Sequence, residues 1–247
     1  MEESVTNPEL CLEWKDQGAN ATTPAPQLCV LLLTYVRTTM ACRTISGLAE
    51  NLDYPKELVS FYVADDGSPS AHMVFIEREI AAGGFQLAGY HSQKYAPAPF
   101  CGIGWNQGLH KAHQNSDFVM ILEDDWVLEK PMDIRPFMWM LSERKDVGML
   151  RLSGLAAGNI VKVVAHRGVH YLEYLRIAPM CYSGNPHIRH LRFSECYGNF
   201  AIDQSPGDIE VWYDAKFHRM SGGPNIWRPA NLNPWGPFAH IGCERTW

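Results

Sequence analysis

Residues 28–68 read LCVLLLTYVRTTMACRTISGLAENLDYPKELVSFYVADDGS, and this stretch decides the fold class. Leu28–Thr34 is a continuous apolar run entered from a proline-rich stretch (Pro24, Pro26), the length and composition of a strand buried on both faces. Ala41, Ile45, Leu48 and Leu52 then recur at i, i+4, i+7 and i+11. That spacing predicts a helix stopped by Asp53-Tyr54-Pro55. Leu58–Ala64 is a second apolar strand and breaks off in Asp65-Asp66-Gly67-Ser68-Pro69, which is turn chemistry. Strand, helix, strand in this order predicts right-handed βαβ units and a parallel sheet.

The alternation continues outward. Ser70 is a candidate cap for a helix to about Ala82, with Gly83-Gly84 as its stop. Phe85–Tyr90, Asp117–Leu122 and Val147–Leu152 read as further strands, and 103–114 and about 133–144 as helices. After Ser153 the pattern changes. Two β-rich runs, 159–166 and 169–176, flank Arg167-Gly168 as a hairpin, a helix is expected over about 207–219, and 221–247 reads as a long ordered loop. Residues 1–26 read as an N-terminal arm and 27–247 as one domain. Within it, 27–152 would bind a ligand at the regular strand ends, and 153–247 would form a variable second half on the same sheet.

Composition narrows the function classes. With 46% hydrophobic and 19% charged residues over 247 positions, the chain is globular and not disordered. The net charge of −6 and the lack of a long basic run do not indicate nucleic acid as a partner. The longest strongly apolar run, Cys29–Leu33, is far short of the roughly 20 residues a bilayer span needs, so no stable membrane insertion is expected. No signal peptide is visible after Met1-Glu2-Glu3-Ser4, and seven cysteines without a CxxC pair read as free thiols. Both point to a cytoplasmic protein.

In open α/β sheets ligands bind at the carboxyl ends of strands. Three predicted strands end there in polar or acidic residues: Thr34-Tyr35, Asp65-Asp66 and Glu123-Asp124-Asp125. Acids gathered at one edge repel, and a bound cation removes that cost. Strand alternation would put Glu123 and Asp125 on one face and Asp124 on the other. Hard oxygen donors suit Mg²⁺ or Mn²⁺, which commonly fill their remaining positions with phosphate oxygens. A Walker loop is absent, and Gly102-Ile103-Gly104 is too short for a dinucleotide fingerprint.

These segments together resemble the GT-A-fold glycosyltransferases, most closely the inverting family 2 group. Leu31–Arg37 resembles that family's first strand and "TYNR" loop, and Val63–Ser68 its "VDDGS" element. Gly104-Trp105-Asn106 with Gly108, Leu109 and Ala112 resembles its glycine- and asparagine-bearing helix. Phe118–Asp125 resembles its "LDaDD" strand, with Glu in the first acidic place. The resemblance implies a GT-A, Rossmann-like three-layer α/β/α sandwich around a mostly parallel mixed sheet. It also implies a metal-dependent transfer from a nucleoside diphosphate sugar, expected to be a UDP-sugar, to an acceptor hydroxyl with inversion.

It further implies residue roles. Thr34, Tyr35 and Arg37 would line the base and phosphate pocket, and Asp65 or Asp66 would take a hydrogen bond from the base. Asn106 and Lys111 would approach the donor, Glu123 would contact ribose or metal beside Asp124, and Asp125 would bind the divalent cation. Gly207-Asp208-Ile209-Glu210 resembles the family's "ED-x-E/D" element, making Asp208 the expected catalytic base and Glu210 the runner-up. Ala239-His240 resembles a late metal-ligand element, with His218 a weaker candidate. His187 and His190, at i and i+3, would line the acceptor side rather than hold zinc. Trp105, Trp126, Tyr182, Tyr197, Trp212, Trp227 and Trp235 could stack on sugars, though all but Trp126, which directly follows the acidic motif, fit a core better than a sugar platform. The acceptor, whether a glycan, protein, small molecule or modified base, stays open. The rival functions are a sugar-nucleotide nucleotidyltransferase, whose glycine-rich signature is missing after the first strand, and a nucleotide- or sugar-binding protein without turnover.

Overall fold

The structure is a computed structural model describing residues 25–93, 101–153, 161–177, 180–220, 222–230, 232 and 236–242. In chain order the first elements are β1 (Leu28–Thr34), α1 (Thr38–Asn51), β2 (Leu52–Asp53), β3 (Val59–Asp65), α2 (Ser70–Ala82) and β4 (Gln86–Ser92). Then come α3 (Cys101–Asn115), β5 (Phe118–Glu123), β6 (Trp126–Leu128), β7 (Met132–Asp133), α4 (Arg135–Glu143) and β8 (Val147–Arg151). The second half carries β9 (Val161–His166), β10 (Val169–Tyr174), β11 (His187–His190), α5 (Leu191–Tyr197), α6 (Pro206–Arg219), β12 (Asn225–Pro229) and β13 (Phe238–His240).

Nine strands form one sheet in the order β4-β3-β1-β5-β11-β8-β12-β10-β9. The neighbours β4, β3, β1 and β5 are parallel, as are β8 and β12, while β11 runs antiparallel to both β5 and β8. The β9–β10 hairpin closes one edge and turns through Arg167 and Gly168, both at positive φ (46° and 78°). Strands from both sides of residue 152 therefore share one sheet.

The period of two along β1 builds the layers. Leu28, Val30 and Leu32 face one core with Ala41, Ile45 and Leu48 of α1, Met73, Ile76 and Ile80 of α2, and Phe137, Met138, Met140 and Leu141 of α4. Cys29, Leu31 and Leu33 face the other with Trp105, Leu109 and Ala112 of α3, Phe193 and Tyr197 of α5, and Ile209, Tyr213 and Phe217 of α6. Helices thus cover both faces, and a continuous apolar run is what a doubly covered strand requires. Gly108 explains the small residues of α3. A Cβ there would lie 2.8 Å from Leu31 Cδ1 and 3.0 Å from Ala64 Cβ, so only glycine lets the helix approach β1 and β3 this closely.

Several sequence readings are corrected. Ser70 is the first residue of α2 and Pro69 holds the cap position, with no side-chain cap bond. His187–His190 is not helical but the buried strand β11. Residues 221–247 are not all loop: β12 lies between β8 and β10 with Trp227 fully buried, and β13 pairs with β6. Trp105, Tyr182, Tyr197 and Trp227 are core residues, and Trp235 lies outside the described residues. Most of the arm, residues 1–24, lies outside them too. Cys29, Cys42, Cys181 and Cys196 are free thiols. Among the described residues no helix is long and apolar enough to cross a membrane.

Candidate active site at the carboxyl edge of the sheet

The parallel register sets the site. Thr34 lies opposite Asp65 and Leu33 opposite Glu123, so β1, β3 and β5 end level with one another. Each strand then turns sharply, and the three turns converge. Asp124 N donates to Leu33 O (3.0 Å), and Asp66 N donates to Thr34 O (3.1 Å).

The acids do not follow strand alternation. β5 ends at Glu123, and Asp124-Asp125 form a turn. Asp124 and Asp125 therefore share a partner: Arg37 sets one guanidinium nitrogen 2.5 Å from Asp124 and the other 2.6 Å from Asp125. Buried Asp124 also accepts from the Thr34 hydroxyl (2.8 Å) and the Tyr35 backbone N–H (3.1 Å). Burial outweighs these partners and pushes its carboxyl up to about 6. Asp125 is buried as well, and its Oδ1 has no hydrogen-bond partner among the described residues. Its Oδ2 lies 3.3 Å from His240 Nε2. The β6–β13 ribbon brings His240 there, pairing it with Trp126, and the two rings pack tilted at 40° with centroids 4.9 Å apart. Ile241 N donates to Asp125 O (2.8 Å). A Cβ on Gly242 would lie 2.9 Å from Asp125 Cγ, so the C-terminal segment closes tightly over this acid.

The two acids after β3 differ. Fully buried Asp65 is occupied by its own loop. It accepts from Ser68 N (2.9 Å), Ser92 Oγ (2.5 Å) and the Ser68 hydroxyl. Half-buried Asp66 lies within electrostatic reach of the cluster: burial, then Asp65 and Asp124, raise its carboxyl to about 7.

A second group of acids forms where α6 meets the sheet. Glu210 accepts from the Gly184 backbone N–H. A Cβ on Gly184 would lie 2.6 Å from Glu210 Oε1 and 3.2 Å from Glu123 Oε1, so the glycine is what lets both carboxylates approach. Burial, then Asp125 and Glu210, pushes Glu123 up to about 8; burial also raises Glu210. Asp208 sits elsewhere. It is exposed on the first turn of α6, bonded to the cap residue Ser205 (2.5 Å), an arrangement that suits the helix dipole. Nor do Asn106 and Lys111 reach the acids. Asn106 clamps the Phe200 backbone (2.8 and 3.0 Å), and exposed Lys111 bonds Gln114 on its own helix (3.2 Å).

The sequence reading missed some residues. Buried His72 links Thr34 Oγ1 (2.9 Å) to Thr38 Oγ1 (2.7 Å), and burial lowers its pKa. Gly184 carries no motif and Gly242 only closes the Ala239–Gly242 element; their requirement as glycines comes from distant carboxylates. Cys181, Asp214 and His218 bring potential ligand atoms within 4.8 Å of one another. Each is engaged in the protein: Asp214 accepts from Met180 N (3.0 Å) and Tyr182 N (2.8 Å), His218 pairs with Asp214 and the Arg176 carbonyl, and Cys181 donates to Leu175 O. The trio ties α6 to Leu175, Arg176, Met180 and Tyr182.

Among solved structures, the chain is similar to S. aureus TarS (TM-score 0.60, 14% identity, 82% of this chain and 36% of that one). It is also similar to S. aureus TarS 1-349 in complex with UDP-GlcNAc (0.59, 13%, 89% and 62%). A third is the mannosyltransferase PcManGT from Pyrobaculum calidifontis in complex with GDP-Man and Mn²⁺ (0.56, 15%, 84% and 58%). The chain has the GT-A fold. It spans less than two thirds of each of these chains, and at such identities the likeness concerns the fold alone. No protein-family model and no curated protein matches it.

Proposed function

We propose that this chain is a metal-dependent glycosyltransferase that moves a sugar from a nucleoside diphosphate sugar, with UDP the first candidate, to an acceptor hydroxyl with inversion. One observation carries the reading. On a GT-A fold, four acids from the ends of β3 and β5, the two strands that flank β1, converge at the carboxyl edge of the sheet beside Arg37: Asp66, Glu123, Asp124 and Asp125.

The residues present fit a divalent cation. Asp125 offers a buried, unpartnered carboxylate oxygen, His240 stands 3.3 Å from its other oxygen, and Glu123 adds a further hard donor nearby. Bound there, the cation would neutralise charge on the diphosphate leaving group. Asp66, with Asp65 spent on its turn, is the acid left to meet the base of the nucleotide. Trp126 offers a ring face beside the acids.

The inverting reaction needs a carboxylate that takes the acceptor's hydroxyl proton. The acceptor oxygen bonds to the anomeric carbon as the sugar–phosphate bond breaks and the nucleoside diphosphate leaves. Glu210 fits this role better than Asp208. It lies beside Glu123 across Gly184 and burial raises its carboxyl, whereas Asp208 is exposed and engaged by Ser205.

The test is calorimetry with UDP and GDP, with and without Mn²⁺, followed by mass spectrometry of a nucleotide-sugar panel. Nucleotide binding is expected to depend on Mn²⁺ and to be lost in Asp125→Ala. Equal binding without metal, or unchanged metal-linked binding in that variant, removes the assignment.

A further inference from the structure

Arg37 holds the same carboxylate, Asp125, on which a bound cation would act. Its guanidinium spans Asp124 and Asp125, and the Asp125 oxygen it holds is the one that also faces His240. The pairing is incomplete, because its buried Nε has no hydrogen-bond partner among the described residues. The backbone leading into it is unusual too. Val36 has φ of 50°, a left-handed conformation that is an outlier for a β-branched residue. Val36 is exposed, so core packing does not impose this conformation. It is held from outside, by the Ser68 hydroxyl on its N–H (2.8 Å) and by the two ion pairs of the next residue. Such strain persists only where surrounding contacts over-determine it, and it favours a loop with a second arrangement.

A divalent cation on Asp125 and a guanidinium on the same carboxylate repel each other. A displaced guanidinium has an obvious destination, because its planar fork matches phosphate oxygens in paired bonds. The geometry points to Arg37 as a resident counter-ion that the divalent cation displaces and the donor diphosphate then captures, so that cation and nucleotide each bind better in the other's presence. The inference rests on reading the acidic cluster as a donor site and adds the physical link between its two ligands. Such coupling is reciprocal: the factor by which UDP strengthens Mn²⁺ binding equals the factor by which Mn²⁺ strengthens UDP binding.

The experiment measures Mn²⁺ affinity by the electron paramagnetic resonance signal of free Mn²⁺, at pH 8, with and without UDP. It compares the unaltered chain with Arg37→Met, and folding is checked by thermal melting. Removing the competing charge should tighten Mn²⁺ binding without nucleotide by about tenfold, about 1.4 kcal/mol. The enhancement by UDP should shrink by a similar factor. Unchanged or weaker Mn²⁺ binding in Arg37→Met overturns the proposal. If the unaltered chain binds no Mn²⁺ even with UDP, the donor-site reading itself fails, which is a different outcome. Should the variant not fold, phenylglyoxal labelling of the unaltered chain decides. Modification of Arg37, read by mass spectrometry, should rise on adding Mn²⁺ and fall again on adding UDP. A constant yield overturns the displacement.

Discussion

Replacing Glu210 by Gln tests which carboxylate on α6 activates the acceptor. The substitution keeps length and shape, and the amide oxygen can still accept the Gly184 N–H that Glu210 now holds. What disappears is the basic oxygen pair facing Glu123. A positioned general base contributes about 10²–10⁴-fold, which is about 2.7–5.4 kcal/mol of barrier. Glu210 is partly desolvated and its carboxyl is raised, so the upper part of that range is expected. Asp208→Asn is the matched control. Asn serves a helix first turn nearly as well, and the Ser205 hydroxyl keeps an acceptor, so a change of less than about threefold is expected. The assay is release of free sugar from the best donor of the panel, with water as acceptor, followed by mass spectrometry. UDP affinity in Mn²⁺ is measured in parallel and should be unchanged in both variants. Near-normal turnover in Glu210→Gln together with a hundredfold loss in Asp208→Asn would refute the assignment and make Asp208 the base.

Gly242→Ala alters no proposed ligand, yet its Cβ would press on Asp125; overpacking of this kind costs about 1–3 kcal/mol. Weaker Mn²⁺ binding by paramagnetic resonance and a lower melting temperature are expected, and unchanged values for both would remove the C-terminal segment from the site. The pH dependence follows from the raised carboxyls of Asp66 (about 7), Asp124 (about 6) and Glu123 (about 8). The folded chain keeps protons there that the unfolded chain releases near pH 4. The stabilisation is therefore full at acid pH and lost as pH rises to about 8. Melting of the metal-free chain should fall between pH 5 and 8 and recover on adding Mn²⁺ at pH 8; a flat or rising profile contradicts the sign.

Much of the first half was legible because its signals are local. β1, β3 and β5 announce themselves by apolar runs, interrupted only by Ser60 in β3, which suit a strand covered on both faces. Their acidic ends are contiguous with them, so strand order alone brings Asp66 and Asp125 to one edge. The second half was less legible because β11, β12 and β13 are three to five residues long and carry His, Arg, Asn and Trp. Their strand character comes from neighbours far along the chain, not from their own periodicity. Even within the legible motif, alternation misplaced Asp124, because the strand stops one residue earlier and a turn follows.

By itself, then, the amino-acid order determined the parallel α/β layout and the acid-bearing strand ends, since backbone period and side-chain burial are properties of short segments. Only the tertiary structure decided which acids work together. Arg37 bridges Asp124 and Asp125, Gly184 lets Glu123 and Glu210 approach, and His240 folds back onto Trp126 beside Asp125. These pairings join residues tens to more than a hundred positions apart, and the energies of bringing charges together and removing them from water depend on that proximity alone.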